Sequence, residues 1–149
     1  MLWGCMGAGS IGNVHFIEGK LDSVGYLRIM RESMLPSRED IFGDDDFVFQ
    51  QDNAPVHVSK ISSKWFRKHS ITLMSWPAQS PDLNPIENLW HLIKEKVRKN
   101  MPLSGKEALR KAVVDAFSEV DGKIIKALVH SMHNRVKQVI RNAGGPIDY

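Results

Sequence analysis

The chain has 149 residues, of which 42% are hydrophobic and 25% charged, a composition typical of a folded domain and unlike that of a disordered chain. Its single cysteine, Cys5, excludes an internal disulfide framework and fits a reducing compartment. We find no run of about 18 apolar residues and no signal-peptide pattern, so no membrane or secretory location is expected, and the cytoplasm and the nucleus are equally compatible.

The net charge of +3 is unevenly distributed along the chain. Residues 1–56 carry 4 Lys and Arg against 9 Asp and Glu, residues 57–101 carry 8 against 3, and residues 102–149 carry 8 against 5. An acidic segment followed by a basic one is typical of a polyanion-binding surface beside an acidic, cation-binding centre. The alternative is that most of these charges are solvated surface.

The first predicted elements are a β-hairpin and a helix. Strands over 2–7 and 13–18 flank a glycine-rich turn, which is the pattern of a hairpin. Asp22 is the expected N-cap of a helix over 23–34, whose apolar side chains at helical spacing are Tyr26, Leu27, Met30 and Met34. Pro36 is expected to prevent this helix from extending further.

The middle of the chain is predicted to alternate between strands and helices. A polar loop over 38–46 ends in three aspartates, which lack the spacing of an EF-hand and are expected to be solvated. The strand FVFQQD, residues 47–52, begins with an unalternating apolar run, which predicts a parallel strand buried on both faces. A helix over 57–68 and a strand over 71–76 follow. The apolar face of this helix is predicted to comprise Val58, Ile61, Trp65 and Phe66.

The C-terminal part is predicted to be helical. One helix lies in 86–100, with an apolar stripe of Ile86, Leu89, Trp90, Ile93 and Val97. A second runs from a capping box at Ser104 to Ser118. A third runs from about Asp121 to just before Gly144, with an apolar stripe of Ile125, Leu128, Met132, Val136, Val139 and Ile140. The last two helices resemble a helix-turn-helix, but their apolar stripes favour an αα-hairpin packed in a core. Strands alternating with helices predict an α/β domain over residues 1–149.

Two acidic residues stand out by their positions. Asp52 closes the predicted buried strand, and loops at the carboxyl ends of strands commonly carry function in open α/β sheets. Glu87 lies in the first turn of a helix, and 34 residues, 53–86, separate the two acids. That interval is enough for a helix, a strand and a loop that return the chain to the same sheet edge. Carboxylate oxygens that converge there would suit Mg²⁺ or Mn²⁺.

Each of these residues also has a purely structural interpretation. The carboxylate of Asp52 can accept backbone N–H bonds in an Asx turn. Glu87 can close a capping box with Asn84 as N-cap and Pro85 as the first helical residue. His57 can form part of the turn after Asp52 or contact a metal-bound phosphate. Local chemistry alone leaves these alternatives open.

Four longer segments resemble one family. They are WGCMGAGSIGNVHFIEG (3–19), FQQDNAPVHV (49–58), WPAQSPDLNPIENLWHLIKEKVRK (76–99) and LVHSMHNRVKQVIRNAGGPIDY (128–149). Together they resemble the catalytic domain of the Tc branch of the Tc/mariner-superfamily DNA transposases. The resemblance covers essentially the whole chain.

The resemblance implies an RNase H-like fold in which three acids bind two Mg²⁺ or Mn²⁺ ions. The second and third acids of the family lie 34 residues apart and correspond to Asp52 and Glu87. Asn53, His57 and Asn84 would orient metal ligands or phosphate. The implied activity is metal-dependent cleavage and strand transfer of double-stranded DNA in the nucleus, with a possible homodimer as the active assembly.

This chain departs from the family pattern at its start. The family's first catalytic aspartate lies on a strand upstream of the hairpin, and no aspartate precedes the hairpin here. We therefore expect an N-terminally truncated domain that lacks the first central strand, with weak metal binding and little or no transposition. We also expect residues 2–7 to pair directly with 47–51, or else a fold of marginal stability.

There are two alternatives to an enzyme with little or no remaining activity. One is a domesticated, non-catalytic DNA-binding or assembly module, and the other is an inactive remnant of a mobile element. A binding module would use its basic side chains for sequence-independent contact with phosphates. The candidates are Lys60, Lys64, Arg67, Lys68, Lys94, Lys96, Arg98 and Lys99.

Overall fold

Short strands and longer helices alternate along the chain in the computed structural model, which describes residues 1–147. The chain divides into two compact units. Unit 1 comprises residues 1–5 and 12–80, and unit 2 comprises residues 6–11 and the segment from Pro81 onward. A single domain over 1–149 stays a prediction.

The elements of unit 1 are β1 (Leu2–Trp3), β4 (His15–Phe16), α1 (Ser23–Ile29), a π-helical turn (Met30–Met34), α2 (Leu35–Phe42), β5 (Val48–Phe49), α3 (Pro55–Val58), α4 (Lys60–Lys68) and β6 (Thr72–Leu73). The elements of unit 2 are β2 (Met6–Gly7), β3 (Ser10–Ile11), a 3₁₀ turn (Pro81–Leu83), α5 (Ile86–Lys99), α6 (Gly105–Ser118), α7 (Gly122–His130) and α8 (Met132–Arg141). Within residues 1–147, no helix has both the length and the apolar character needed to cross a membrane.

The predicted hairpin is confirmed. β1 pairs antiparallel with β4, and β2 pairs antiparallel with β3. The turn between β2 and β3 consists of Ala8 and Gly9, whose φ angles of 50° and 91° are both positive, as a two-residue primed turn requires. The expected direct pairing of residues 2–7 with 47–51 is wrong. In the described residues β1 has β4 as its only ladder partner and β5 has β6, so the hairpin and the parallel pair form separate ladders.

The parallel arrangement predicted for the strand before Asp52 is also confirmed. Val48 lies opposite Thr72 and Phe49 opposite Leu73 in the β5–β6 ladder, which Met74 extends by donating from its N–H to the Phe49 carbonyl at 2.9 Å. The prediction that this strand is buried on both faces is wrong, because Val48 is 53% exposed. In the described residues β6 is the only ladder partner of β5, so β5 is not a central strand here.

Pro36 does not end the helix that begins after Asp22. The cap itself is as predicted, with the Gly25 N–H donating to Asp22 Oδ1 at 2.7 Å. Proline has no N–H and its ring would clash with a carbonyl one α-turn earlier. The wider π-helical turn immediately before it, in which the Leu35 N–H donates to the Met30 carbonyl, places Pro36 in a new first turn. Residues 38–42, predicted as loop, are therefore helical.

The helix predicted over 57–68 begins earlier and is interrupted. Pro55 starts α3, and Ser59 then serves as the N-cap of α4, its Oγ accepting from the Ser62 N–H at 3.3 Å. The break turns the predicted apolar face, so Val58 and Ile61 are 52% and 46% exposed. The core of unit 1 is formed by Tyr26, Leu27, Ile29, Met30, Met34, Trp65, Phe66 and Ile71.

Unit 2 buries one apolar stripe of α5 as predicted. Its buried apolar residues include Leu89, Ile93, Val97, Ala112, Ala116, Phe117 and Ile125. The helix predicted at Ser104 is present, but the Ser104 side chain makes no capping hydrogen bond, so the capping box is wrong. The last predicted helix is divided at Ser131 into α7 and α8, and Val136 and Ile140, assigned to its apolar stripe, are 46% and 72% exposed.

Candidate functional site

Asp52 lies three residues beyond β5 and presents its carboxylate to solvent. The side chain is 60% exposed, and its Oδ1 accepts from the Ala54 N–H at 3.0 Å and contacts Nδ1 of His57 at 2.7 Å. The predicted Asx turn is therefore present, and His57 is part of it. Within residues 1–147, Oδ2 of Asp52 makes no hydrogen bond. The turn thus leaves one oxygen able to bind a cation.

The ring of His57 also packs on a buried tyrosine. The ring centroids of Tyr26 and His57 are 4.5 Å apart, and the Tyr26 hydroxyl donates to Oε1 of Gln51. Burial, and to a smaller degree the nearby charge of Asp52, raises the pKa of Tyr26, so its hydroxyl remains a donor at neutral pH. Sequence reasoning assigned Tyr26 only to a helix core. The hydroxyl within that apolar stripe is the signal that could have revealed its link to Gln51.

Asn53 links the segments that follow β5 and β6 in unit 1. Its Nδ2 donates to the Trp76 carbonyl at 2.9 Å, which ties the loop after β5 to the segment after β6. This contact holds in place the backbone next to Asp52. A role of Asn53 in orienting metal ligands stays a prediction.

Glu87 lies in unit 2, in the first turn of α5, and is exposed. The cap is provided by Asn84, whose Oδ1 accepts from the Ile86 N–H at 3.4 Å and whose carbonyl accepts from the Glu87 N–H at 3.1 Å. The carboxylate of Glu87 makes no hydrogen bond or ion pair with residues 1–147. The predicted capping box is therefore wrong for Glu87, because Asn84 caps the helix without it. The capping role that competed with metal binding is not used.

Arg135 is a residue that sequence reasoning did not single out. It is only 4% exposed, and its guanidinium donates to Ser131 Oγ at 2.9 Å, to the Asp82 carbonyl at 2.5 Å and to Asn88 Oδ1 at 2.5 Å. The signal that could have found it is its place between Met132 and Val139, at the helical spacing of the apolar stripe. A charge at such a position requires polar partners inside the protein.

The predicted DNA-binding residues differ in their surroundings. The four on α4 are exposed, and none of them forms an ion pair within residues 1–147. On α5, Lys96 contacts Glu119 at 2.8 Å and Arg98 contacts Glu95 at 2.6 Å, so both charges are partly offset. Lys94 and Lys99 are exposed. The strongest basic surface is therefore on α4, and consists of Lys60, Lys64, Arg67 and Lys68.

The two candidate ligands belong to different compact units, Asp52 to unit 1 and Glu87 to unit 2. In the described residues, 1–147, no group of three or more His, Cys, Asp or Glu side chains forms a ready metal centre. The donor chemistry nevertheless fits, because each acid offers a carboxylate oxygen that no protein group occupies. Such oxygens are the preferred ligands of Mg²⁺ and Mn²⁺.

A comparison with protein families matches residues 4–110 to the model described as DDE superfamily endonuclease. The chain belongs to this family. Relatives of this chain include the Tc3 transposase of Caenorhabditis elegans, 36% identical over 150 residues, and the Tcb2 transposase of Caenorhabditis briggsae, 36% identical over 149 residues. The alignments cover 100% of this chain but only 45% and 54% of those relatives, so the chain spans about half of their length.

Similarity to solved structures establishes the fold of this chain. The catalytic domain of the Mos1 mariner transposase matches with a TM-score of 0.82 at 15% identity, covering 99% of this chain and 75% of that one. The Mos1 mariner paired end complex with Mn matches with a TM-score of 0.79 at 16% identity, covering 99% and 44%. The predicted α/β, RNase H-like fold and the resemblance to Tc/mariner transposases are confirmed.

Proposed function

We propose that this chain is the metal- and DNA-binding part of a Tc/mariner-type transposase, whose reaction is metal-dependent cleavage and strand transfer of DNA; the weak metal binding and low activity expected from the sequence stay predictions. The observation that carries the proposal is the exposed carboxylate of Asp52 at the end of a parallel strand, within the segment that the DDE family model matches. The Tc3, Tcb2 and Mos1 transposases supply the class of reaction.

Asp52 and Glu87 would hold Mg²⁺ or Mn²⁺, two ions in the complete family site. When bound, the ions would activate the attacking hydroxyl and stabilise the leaving oxygen of an in-line displacement at phosphorus. His57 would hold the Asp52 carboxylate in place through their 2.7 Å contact. Asn84 would set the start of α5 and thereby the position of Glu87 on its first turn.

Glu87→Gln is expected to weaken Mn²⁺ binding by about tenfold or more, because the amide keeps the shape of the side chain but loses its charge. Titration calorimetry with MnCl₂ measures the affinity. The matched control is Glu107→Gln, which also lies in the first turn of a helix and is exposed. Equal Mn²⁺ affinities of the Glu87 and Glu107 variants would show that Glu87 is not a metal ligand.

The double substitution Lys64→Ala with Lys68→Ala is expected to weaken binding to duplex DNA of any sequence and to lower the salt slope by about 2, since each phosphate contact contributes about 0.9. Fluorescence anisotropy over a range of NaCl concentrations measures both. Lys137→Ala with Arg141→Ala is the matched control, because it removes the same charge at the same spacing from exposed positions on α8. An identical loss in both double variants would contradict a DNA-binding role for α4.

A non-catalytic DNA-binding module is the second candidate, and the four exposed cations of α4 favour it. The two functions differ in their dependence on metal. A wild-type chain that binds DNA with a steep salt dependence but binds no Mn²⁺ would support the module over the enzyme.

Further proposals follow from the family. The partner would be double-stranded DNA, the assembly on DNA a possible homodimer, and the location nuclear. Light scattering of the protein–DNA complex and fluorescence microscopy of a tagged chain test the last two. A complex with one protein chain, or a cytoplasmic signal, would contradict them.

A further inference from the structure

The buried guanidinium of Arg135 joins two segments of unit 2 that are distant in sequence, α8 and residues 82–88. From α8 it reaches the carbonyl of Asp82, 53 residues away, and the side chain of Asn88, 47 residues away. Its Nε is oriented within α8 by Ser131 at 2.9 Å. Asp82 precedes the loop that leads into α5, and Asn88 follows it.

The segment held in this way carries the candidate metal ligand Glu87. Asp82 is fixed by further bonds, because its Oδ1 accepts from the Leu83 N–H at 3.1 Å and its Oδ2 from the Ile147 N–H at 3.2 Å. Asn88 follows Glu87 directly on the first turn of α5. Glu87 is therefore bracketed by two residues whose positions depend on the same guanidinium.

We propose that Arg135 is a positioning residue that fixes residues 82–88 and thereby the carboxylate of Glu87 for metal binding. This inference rests on the proposed function of Glu87 as a metal ligand. The planar guanidinium can donate to several acceptors in fixed directions, whereas a lysine ammonium is a single point of charge. The carboxylate of Glu87 makes no hydrogen bond or ion pair with residues 1–147, so its position depends on the backbone that carries it.

Arg135→Lys keeps the positive charge but cannot reach all three acceptors, and Arg141→Lys, on an exposed part of the same helix, is the matched control. Hydrogen exchange should rise at the amides of Leu83, Glu87 and Ile147 in the Arg135 variant and stay unchanged in the control. The Mn²⁺ affinity should fall by about tenfold or more, as for the loss of an outer-shell partner. Glu87→Gln combined with Arg135→Lys should show no further loss of affinity beyond Glu87→Gln alone.

The outcomes separate the inference from the function on which it rests. Unchanged amide exchange in Arg135→Lys would show that Arg135 does not fix residues 82–88, and would overturn the proposal. Raised exchange with wild-type Mn²⁺ affinity would show a structural role only and would overturn the positioning role. Absence of Mn²⁺ binding by the wild-type chain would overturn the proposed function, and the positioning role with it. If Arg135→Lys does not fold, Asn88→Ala is used in its place, because it removes one of the acceptors of the guanidinium. The same changes in amide exchange and Mn²⁺ affinity are expected, and the same results would overturn the proposal.

Discussion

Replacing Phe66 with alanine is expected to destabilise the protein by about 3–5 kcal/mol, a large part of the stability of about 5–15 kcal/mol that is usual for a domain. Phe66 is 1% exposed, and its ring centroid lies 5.7 Å from that of Phe49 and 5.2 Å from that of Trp65. The substitution would leave a cavity between α4 and β5, and β5 leads directly into Asp52. Urea denaturation followed by circular dichroism measures the free energy of unfolding.

Ile61→Ala is the matched control for this prediction. Ile61 lies on the same helix and belongs to the apolar face that the sequence predicts, but it is 46% exposed in the structure. We expect a loss of less than about 1 kcal/mol, because little apolar surface leaves the core. A loss as large as that of Phe66→Ala would mean that α4 is oriented as the sequence pattern predicts and not as the structure describes.

Asp52→Asn is expected to have the largest effect on function while leaving stability nearly unchanged. The amide oxygen can still accept from the Ala54 N–H in the Asx turn, which the native Oδ1 does at 3.0 Å. The charge that attracts a divalent cation is lost. The Mn²⁺ affinity, measured by titration calorimetry, should therefore fall by more than the about 10–100-fold that follows loss of an outer-shell partner.

Asp46→Asn is the control for this second prediction, because Asp46 is an exposed aspartate in the loop before the same strand. Its Mn²⁺ affinity should equal that of the wild type. If the wild-type chain nicks a supercoiled plasmid in the presence of Mn²⁺, Asp52→Asn should abolish that nicking. Nicking that persists unchanged in Asp52→Asn would have to come from a contaminant, and unchanged Mn²⁺ affinity would exclude Asp52 as a ligand.

The elements that the sequence predicts correctly depend on interactions within a few residues. The hairpin follows from a short turn in which Ala8 and Gly9 adopt positive φ angles, and the cap at Asp22 bonds an N–H three residues away. The Asx turn at Asp52 is equally local. In each case the partners are close in sequence, so residue type and spacing are sufficient to predict the contact.

The errors arise where a rule based on residue type does not take account of the backbone conformation or of the arrangement of the elements. Pro36 is a helix breaker by type, but the π-helical turn at Met30–Met34 accommodates it. Val48 and Ile61 are apolar, but only the placement of β5 and α4 shows that they are exposed. Hydrophobicity tells which side chains favour burial, whereas the arrangement of the elements decides how many can be buried.

The sequence by itself determined the family of this protein and its two candidate ligands, because QDNAP and PDLNPIEN are contiguous motifs and the 34-residue interval between the acids is a property of the chain. Only the tertiary structure revealed the groups that hold these motifs in place. Tyr26 lies 25 residues from Gln51, and Arg135 lies 47 residues from Asn88. Such contacts depend on where folding brings distant segments, and no spacing rule along the chain specifies them.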